Sequence, residues 1–151
     1  MNRTVILAGI VITLALFILP VFILNGRSSP TNSGIITQSG IHWHPHLTIF
    51  VKGKKVEIPK DVGRTGGTEQ PIHMHEEDDF IHLEFSGMVY KSETTLGQFF
   101  KVWGKTLTHA CLFEFCSGGA GKLSMTVNKQ PNTEYENYPM ADKDEIVLKF
   151  E

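Results

Sequence analysis

The pattern of hydrophobic and polar positions divides the chain into an apolar run, a polar connector and a body of short alternating segments. From Thr4 to Leu24 there are 21 residues without a charge. At the rise of an α-helix this run is about 30 Å long, enough to cross the core of a bilayer. No small-residue cleavage site comes after it. We therefore predict an uncleaved transmembrane signal anchor over residues 1–26.

The residues that flank the apolar run predict its orientation and a linker on its C-terminal side. Arg3 and the amino terminus oppose only Arg27, which by the positive-inside rule favours an internal N-terminus. Residues 27–40 are rich in Ser, Pro, Thr, Asn and Gly, a composition typical of a flexible linker. We expect a single-pass protein of the cell membrane whose C-terminal domain, residues 41–151, lies outside the cytoplasm.

The body reads as several strands and one short helix. Thr94 or Thr95 is a candidate N-cap, Gln98 would complete a capping box, and Gly104 would end the helix. Alternation and turn signals predict strands over 46–51, 56–58, 80–85, 110–115, 123–127 and 145–150, the first two joined as a hairpin. The fold class is therefore α+β, mainly β. The closing run, with V-N-K-Q-P-N and an acidic turn before the last strand, resembles the end of a β-grasp domain.

Charge and composition exclude some classes of function. The formal net charge is −2, and there is no basic run with interleaved aromatic residues, so nucleic acid is not an expected partner. No Ser/His/Asp arrangement suggests a nucleophilic enzyme.

Histidines carry the clearest chemical signal. In an extended strand, residues i, i+2 and i+4 point to one face, so I-H-W-H-P-H-L, P-I-H-M-H and F-I-H-L-E-F can each present imidazoles on one side. Imidazole is a ligand for copper, zinc and iron. The alternative is a scaffold whose histidines are incidental surface or core residues. We predict a metal site, with its candidate ligands in descending order: His73, His75, His44, His46, His82 and His42.

The predicted function is capture or delivery of a transition metal ion. Copper is the first expectation and zinc the second, because a histidine-only site favours copper in the Irving–Williams order. Catalysis ranks below binding. A carboxylate in the acidic stretch 76–79, or Glu84, would serve as a fourth ligand or would orient an imidazole.

A short local pattern also resembles the first metal motif of the cupins. Gly67 precedes His73 and His75, Asp79 comes after them at about the spacing of the cupin carboxylate, and Gly87 is near the motif's last glycine. Cupins typically carry Glu where Asp79 stands. The resemblance implies an iron or manganese site formed by His73, His75 and Asp79, and hence a metal-dependent oxidoreductase.

The two cysteines allow several interpretations. In an oxidising compartment Cys111 and Cys116 would most simply pair with each other. The four intervening residues place them on opposite faces of a straight strand, so pairing requires a bend. Free buried thiols, a metal role with His109, and a thiol-disulfide oxidoreductase remain alternatives.

Across the body, H-W-H-P-H-L, P-I-H-M-H, I-H-L-E and T-L-G-Q-F-F-K-V-W-G stand together with C-L-F-E-F-C. This combination resembles an uncharacterised group of small, membrane-anchored, histidine-rich prokaryotic proteins. The resemblance covers Ile41 to Glu151. It implies that the histidine groups and the helix belong to one domain design, and it names neither an ion nor a reaction.

Overall fold

The computed structural model describes residues 34–75, 79–119 and 121–151, which belong to one compact unit, Gly34–Glu151. The predicted membrane anchor, residues 1–26, lies outside the described residues. Within the described residues, no helix is long and apolar enough to cross a membrane. The unit is mainly β with one α-helix, as the sequence predicts at that level.

A five-stranded sheet forms the centre of the unit. Its strand order is β4-β3-β14-β12-β13. The central pair, β3 and β14, is parallel, with Leu47 opposite Ile146, and every other pair is antiparallel. The bounds are β3 His46–Val51, β4 Lys54–Val56, β12 Leu123–Val127, β13 Gln130–Asn132 and β14 Glu145–Phe150.

Alternation of apolar residues explains this sheet. Four side chains are fully buried: Leu47 and Ile49 in β3, and Ile146 and Leu148 in β14. The residues that alternate with them in β14 are exposed or half-buried, beginning with Glu145. In the predicted hairpin between β3 and β4, Lys52 and Gly53 both have positive φ, 49° and 74°. Two such residues make the type I′ turn that matches the twist of the strands.

The predicted helix is present as α1, Leu96–Trp103. Thr95 is the N-cap residue, but its side chain makes no capping hydrogen bond, and Gln98 Nε2 instead donates to the carbonyl of Ser92. The predicted capping box is therefore wrong. Gly104 ends the helix in the left-handed conformation, with φ of 70°. The buried side chains of α1 share one hydrophobic core with the sheet: Leu96, Phe99 and Phe100.

A second, three-stranded sheet has the antiparallel order β2-β8-β7. Its strands are short: β2 Ile41–Trp43, β7 Ile72–His73 and β8 His82–Phe85. Three two-stranded pairs complete the unit: β1 Ile35–Thr37 with β9 Val89–Tyr90, β5 Arg64–Thr65 with β6 Thr68–Glu69, and β10 Cys111–Leu112 with β11 Phe115–Cys116.

Several segments differ from the sequence-based expectation. The strand predicted over 56–58 is β4, Lys54–Val56, and the strand predicted over 80–85 begins only at His82, as β8. Strand β1 lies within residues 27–40, the predicted linker, and pairs with β9. The single strand predicted over 110–115 is wrong, because the chain reverses at Phe113, which has φ of 56°, and forms the hairpin β10–β11. The alternating pattern continued through the turn, so it did not reveal the reversal.

Candidate metal centre

The three-stranded sheet collects imidazoles on one of its faces. His73 in β7 lies directly opposite His82 in β8, and His42 in β2 lies directly opposite Glu84. Residues that oppose each other in an antiparallel pair share a face, and so do residues two apart along a strand. All four side chains therefore project from the same side. The other face packs on the hydrophobic core through Trp43, Ile72 and Leu83.

His73 is the most firmly held of the histidines. Its side chain is 1% exposed, and its Nδ1 lies 2.7 Å from the carbonyl oxygen of Gln70. A carbonyl only accepts, so Nδ1–H donates and Nε2 of the neutral ring carries a lone pair. Such a backbone contact at one nitrogen is the usual way in which a metal-binding histidine is oriented.

His75 faces the free nitrogen of His73. The two Nε2 atoms are 2.9 Å apart, and the ring centroids 4.6 Å. With His73 Nε2 as acceptor, His75 Nε2–H is the donor. For one ion to be bound by both Nε2 atoms, this proton would have to leave His75 Nε2, and the ring would carry its proton on Nδ1 instead. The sequence-based expectation is that His73 and His75 lie on one face of the same strand. Strand β7 ends at His73, however, so the contact between the two rings depends on the backbone path after β7.

His82 lies at the centre of the histidines. Its ring centroid is 4.4 Å from that of His75, 4.8 Å from that of His44 and 5.3 Å from that of His73. Burial above all, and then the neighbouring His75, His44 and His73, lower the pKa of His82 below its usual 6.5, while Glu84 opposes the shift. Its Nδ1 is buried and makes no hydrogen bond within the described residues. A neutral imidazole with an unused nitrogen is a ready ligand.

Two groups of side chains have ligand atoms that all lie within 4.8 Å of one another. The first, the inner group, consists of His73, His75, His82 and Glu84. The second, the outer group, consists of His42, His44 and His82. Imidazole and carboxylate at such separations can close around one transition metal ion after small side-chain movements.

Two carboxylates adjoin the imidazoles. Glu84 Oε1 lies 3.1 Å from His42 Nε2 and 3.7 Å from His82 Nδ1. Glu69, in β6, was not among the sequence-based candidates, yet its carboxylate lies 3.7 Å from His73 Nε2 and 3.5 Å from His75 Nδ1. It also pairs with Arg64 Nε at 3.1 Å. The signal that would have found it is an acidic residue placed just before a histidine pair.

His46 lies outside both groups. Its strand, β3, belongs to the five-stranded sheet, whereas His42 is in β2 of the other sheet, and Pro45 lies between them. Strand parity therefore does not extend from His42 to His46. His46 Nε2 lies 3.8 Å from Asp79 Oδ2. With His44 it lines a cavity of about 560 Å³, whose other lining residues are Phe80, Asp142, Lys143 and Glu145.

The carboxylate of the cupin-like pattern also lies elsewhere. Asp79 is buried, and Lys55 Nζ binds its Oδ2 at 2.6 Å. Asp79 belongs to neither histidine group, whereas His73 and His75 belong to the inner group. Residues 76–78, the rest of the acidic stretch, lie outside the described residues.

Cys111 and Cys116 form a disulfide and face each other across the hairpin β10–β11. The reversal at Phe113 supplies the bend that the sequence requires for this pairing. His109, 80% exposed, lies 3.8 Å from Glu136 and belongs to neither histidine group. The described cysteines are thus bound to each other.

Comparison of the chain with models of protein families, with curated proteins and with solved structures finds no match. The geometry of the site is therefore the basis for assigning a function.

Proposed function

We propose that this chain is a membrane-anchored protein whose extracytoplasmic domain binds a transition metal ion through clustered histidines, for capture or delivery. One observation carries the proposal. The ligand atoms of His73, His75, His82 and Glu84 lie within 4.8 Å of one another, on the side of a sheet whose opposite face is core.

The state of these side chains supports binding rather than incidental clustering. His73 is oriented by the Gln70 carbonyl, and the lowered pKa of His82 keeps that ring neutral. Placing several imidazoles together without an ion brings a desolvation cost, visible at the unpaired Nδ1 of His82. A bound ion would replace the missing hydrogen bond with a coordinate bond.

Copper is the first candidate ion and zinc the second. The inner group offers three nitrogens and a carboxylate, which suit both ions, and the Irving–Williams order favours copper at a nitrogen-rich site. Iron is the third candidate.

The proposed location rests on two features of the chain. The uncharged run from Thr4 to Leu24 is long enough to span a bilayer. The disulfide between Cys111 and Cys116 is of a kind that persists in oxidising compartments. The first feature supports a membrane anchor, and the second favours a domain that faces away from the cytoplasm.

We also propose that the fold is a β-grasp. The order β4-β3-β14-β12-β13, with a parallel central pair formed by the first and last of these strands, supports it. The helix α1 comes between the two hairpins in the chain, as that topology requires.

The direct test is metal analysis of the purified full-length chain. The wild type, stripped by a chelator and titrated with Cu²⁺ or Zn²⁺, is expected to bind the ion stoichiometrically. His73→Ala is expected to weaken binding by about 100-fold or more, since loss of an orienting partner alone costs 10–100-fold. His109→Ala is the matched control, because His109 belongs to neither group. A wild type that takes up neither ion, or equal binding by His73→Ala, would refute the proposal.

A metal-dependent enzyme is the second candidate, favoured by the cavity beside the site. His44 belongs to the outer group and also lines the cavity of about 560 Å³, so a small substrate bound there would lie next to the ion. The cavity also contains His46, close to the Asp79 carboxylate. Oxygen uptake by the copper-loaded chain with a reductant, compared with free copper and with His44→Ala, tests it. A rate no greater than that of free copper would count against catalysis.

A further inference from the structure

The inner and outer groups have one residue in common, His82. Their rings form a continuous series, with centroids 4.8 Å apart from His42 to His44, 4.8 Å from His44 to His82, 4.4 Å from His82 to His75 and 4.6 Å from His75 to His73. The two groups are therefore neighbouring ligand sets around a common imidazole.

Exposure falls from one end of this series to the other. The side chain of His42 is 64% exposed, that of His82 18% and that of His73 1%. His75, at 32%, is more open than His73. The outer group thus contains the most exposed imidazole of the two groups, whereas the inner group is half-open at His75 and Glu84 and ends at a buried ring held by a backbone carbonyl.

Glu84 connects the two groups. Its Oε1 lies 3.1 Å from His42 Nε2 in the outer group and 3.7 Å from His82 Nδ1 in both. A single carboxylate oxygen can thus accompany a cation from one ligand set to the other. Its negative charge also lowers the cost of holding a cation between neutral imidazoles.

We infer that the two groups are successive stations for one metal ion, which binds first at His42, His44 and His82 and then passes to His73, His75, His82 and Glu84. The inference rests on the proposed metal-binding function. In this exchange the bonds from the ion to His42, to His44 and to a solvent water break, bonds to His73, His75 and Glu84 form, and His82 stays bound. The proton on His75 Nε2 passes to solvent, and Nδ1 of the same ring, which faces the Glu69 carboxylate, takes one up. The ion keeps its oxidation state throughout, so the step needs no redox partner, and the Glu84 carboxylate adds a negative charge to the inner ligand set.

Single occupancy is a consequence of the shared ligand. Two ions held at once would both require His82, whose neutral ring would have to lose its one ring proton and act as a bridging imidazolate. Two dications would also repel each other strongly at this separation. Among the described residues, Glu84 is the one carboxylate that contacts both groups, and Glu69 is already paired with Arg64. A relay avoids both costs.

The test separates the rate of capture from the affinity at equilibrium. Full-length wild type, the double variant His42→Ala/His44→Ala, His73→Ala and the control His109→Ala are mixed with Cu²⁺ delivered from a weak chelator. Stopped-flow absorbance gives the association rate, and competition with a strong chelator gives the affinity. Electron paramagnetic resonance of the Cu²⁺ form reports the ligand set.

The double variant is expected to bind one ion with an affinity within about tenfold of wild type, but to take it up at least about tenfold more slowly. His73→Ala is expected to retain the wild-type association rate, bind at least about 100-fold more weakly and give a different resonance spectrum. His109→Ala should match the wild type in every measurement. These results together would establish two stations for one ion.

Other outcomes would overturn the relay. Two ions per wild-type chain would show a binuclear site instead. An unchanged association rate in the double variant, with one ion still bound tightly, would show that the outer group takes no part, and would leave the proposed function intact. A wild type that binds no Cu²⁺ would refute the proposed function itself. His42→Asn/His44→Asn serves as a second variant should the alanine pair fail to fold.

Discussion

The five-stranded sheet and the three-stranded histidine sheet are built in different ways. In the first, strands of up to six residues alternate regularly, and their buried residues form a continuous hydrophobic core. In the second, β2 and β7 have three and two residues, and the ring positions depend on a backbone carbonyl, on neighbouring imidazoles and on Glu84. Stability and ligand chemistry are therefore largely carried by different residues. Substitutions in the five-stranded sheet should lower stability and leave metal binding unchanged, and substitutions of the histidines should do the reverse.

The largest expected effect is on the central sheet. Leu148 in β14 is fully buried, and Leu148→Ala leaves a cavity on the core face of the sheet, beside Met125 and Ile49 of the neighbouring strands. We expect the free energy of unfolding to fall by roughly 2–5 kcal/mol, measured by denaturant unfolding of the full-length chain. The control is Glu145→Ala, at an exposed position of the same strand, which should change the free energy of unfolding by less than about 0.5 kcal/mol. Loss of metal binding by folded Leu148→Ala would contradict the conclusion that stability and metal binding depend on different residues.

A glycine beside the histidine sheet should affect both properties. A Cβ at Gly63 would clash with the carbonyl oxygen of Ile72 and come within 3.0 Å of His73 Cα, and φ is already +75°. We expect Gly63→Ala to cost roughly 2–4 kcal/mol of stability and to weaken metal binding about tenfold by displacing His73. Thermal unfolding and chelator competition measure the two effects.

The matched control for Gly63 is Gly66→Ala. Gly66 also has a positive φ, 59°, but a Cβ there would meet nothing within 4 Å. Gly66→Ala should lose only about 1 kcal/mol of stability, the cost of placing a side chain at a positive φ, and its metal affinity should be unchanged. Equal affinities in Gly63→Ala and Gly66→Ala would show that His73 is not held in place by this contact.

The disulfide hairpin should behave like the central sheet. Cys111 and Cys116 are five residues apart, and joining so short a loop stabilises the fold by about 2 kcal/mol in the loop-entropy account. We expect Cys111→Ser/Cys116→Ser to lose about that much in denaturant unfolding and to bind the same number of ions. A lower metal stoichiometry in this variant would instead assign the cysteines a part in metal handling.

The smallest expected effect is a pH dependence of the metal-free chain. Burial, together with the neighbouring histidines, lowers the pKa of His82 from 6.5, so below pH 6.5 the unfolded chain binds this proton and the folded chain does not. Stability should therefore decrease as the pH falls through 6.5, until the folded-state pKa is reached. Denaturant unfolding between pH 7.5 and 5 should show a shallower slope for His82→Gln. Identical slopes would indicate that His82 is protonated equally in both states.

Much of the central sheet could be predicted because its signals are local. The strands β12 and β14 have the predicted bounds, 123–127 and 145–150, and Gly104 ends the helix as its left-handed conformation requires. Pairing of β14 with β3 could not be predicted in this way, since parallel neighbours far apart in the chain have no turn sequence that identifies them.

The candidate site was predictable in part. His73, His75 and His82 were identified as ligand candidates, and the structure brings them together with Glu84. His46 does not join them, because Pro45 separates two strands that enter different sheets. Glu69 contacts both His73 and His75 from the β5–β6 hairpin; its place just before the histidine pair was the one available signal, and the hairpin that brings it to both rings is a feature of the fold.

By itself, the sequence determined which chemistry is present: apolar residues at alternate positions that must be buried, imidazoles concentrated between His42 and His82, and two cysteines separated by a short loop. Only the tertiary structure decided which imidazoles meet. Side-chain direction along one strand is a local property, set by the period of the backbone. Convergence on an ion depends instead on the register of β2, β8 and β7, and on the carbonyl of Gln70 that orients His73.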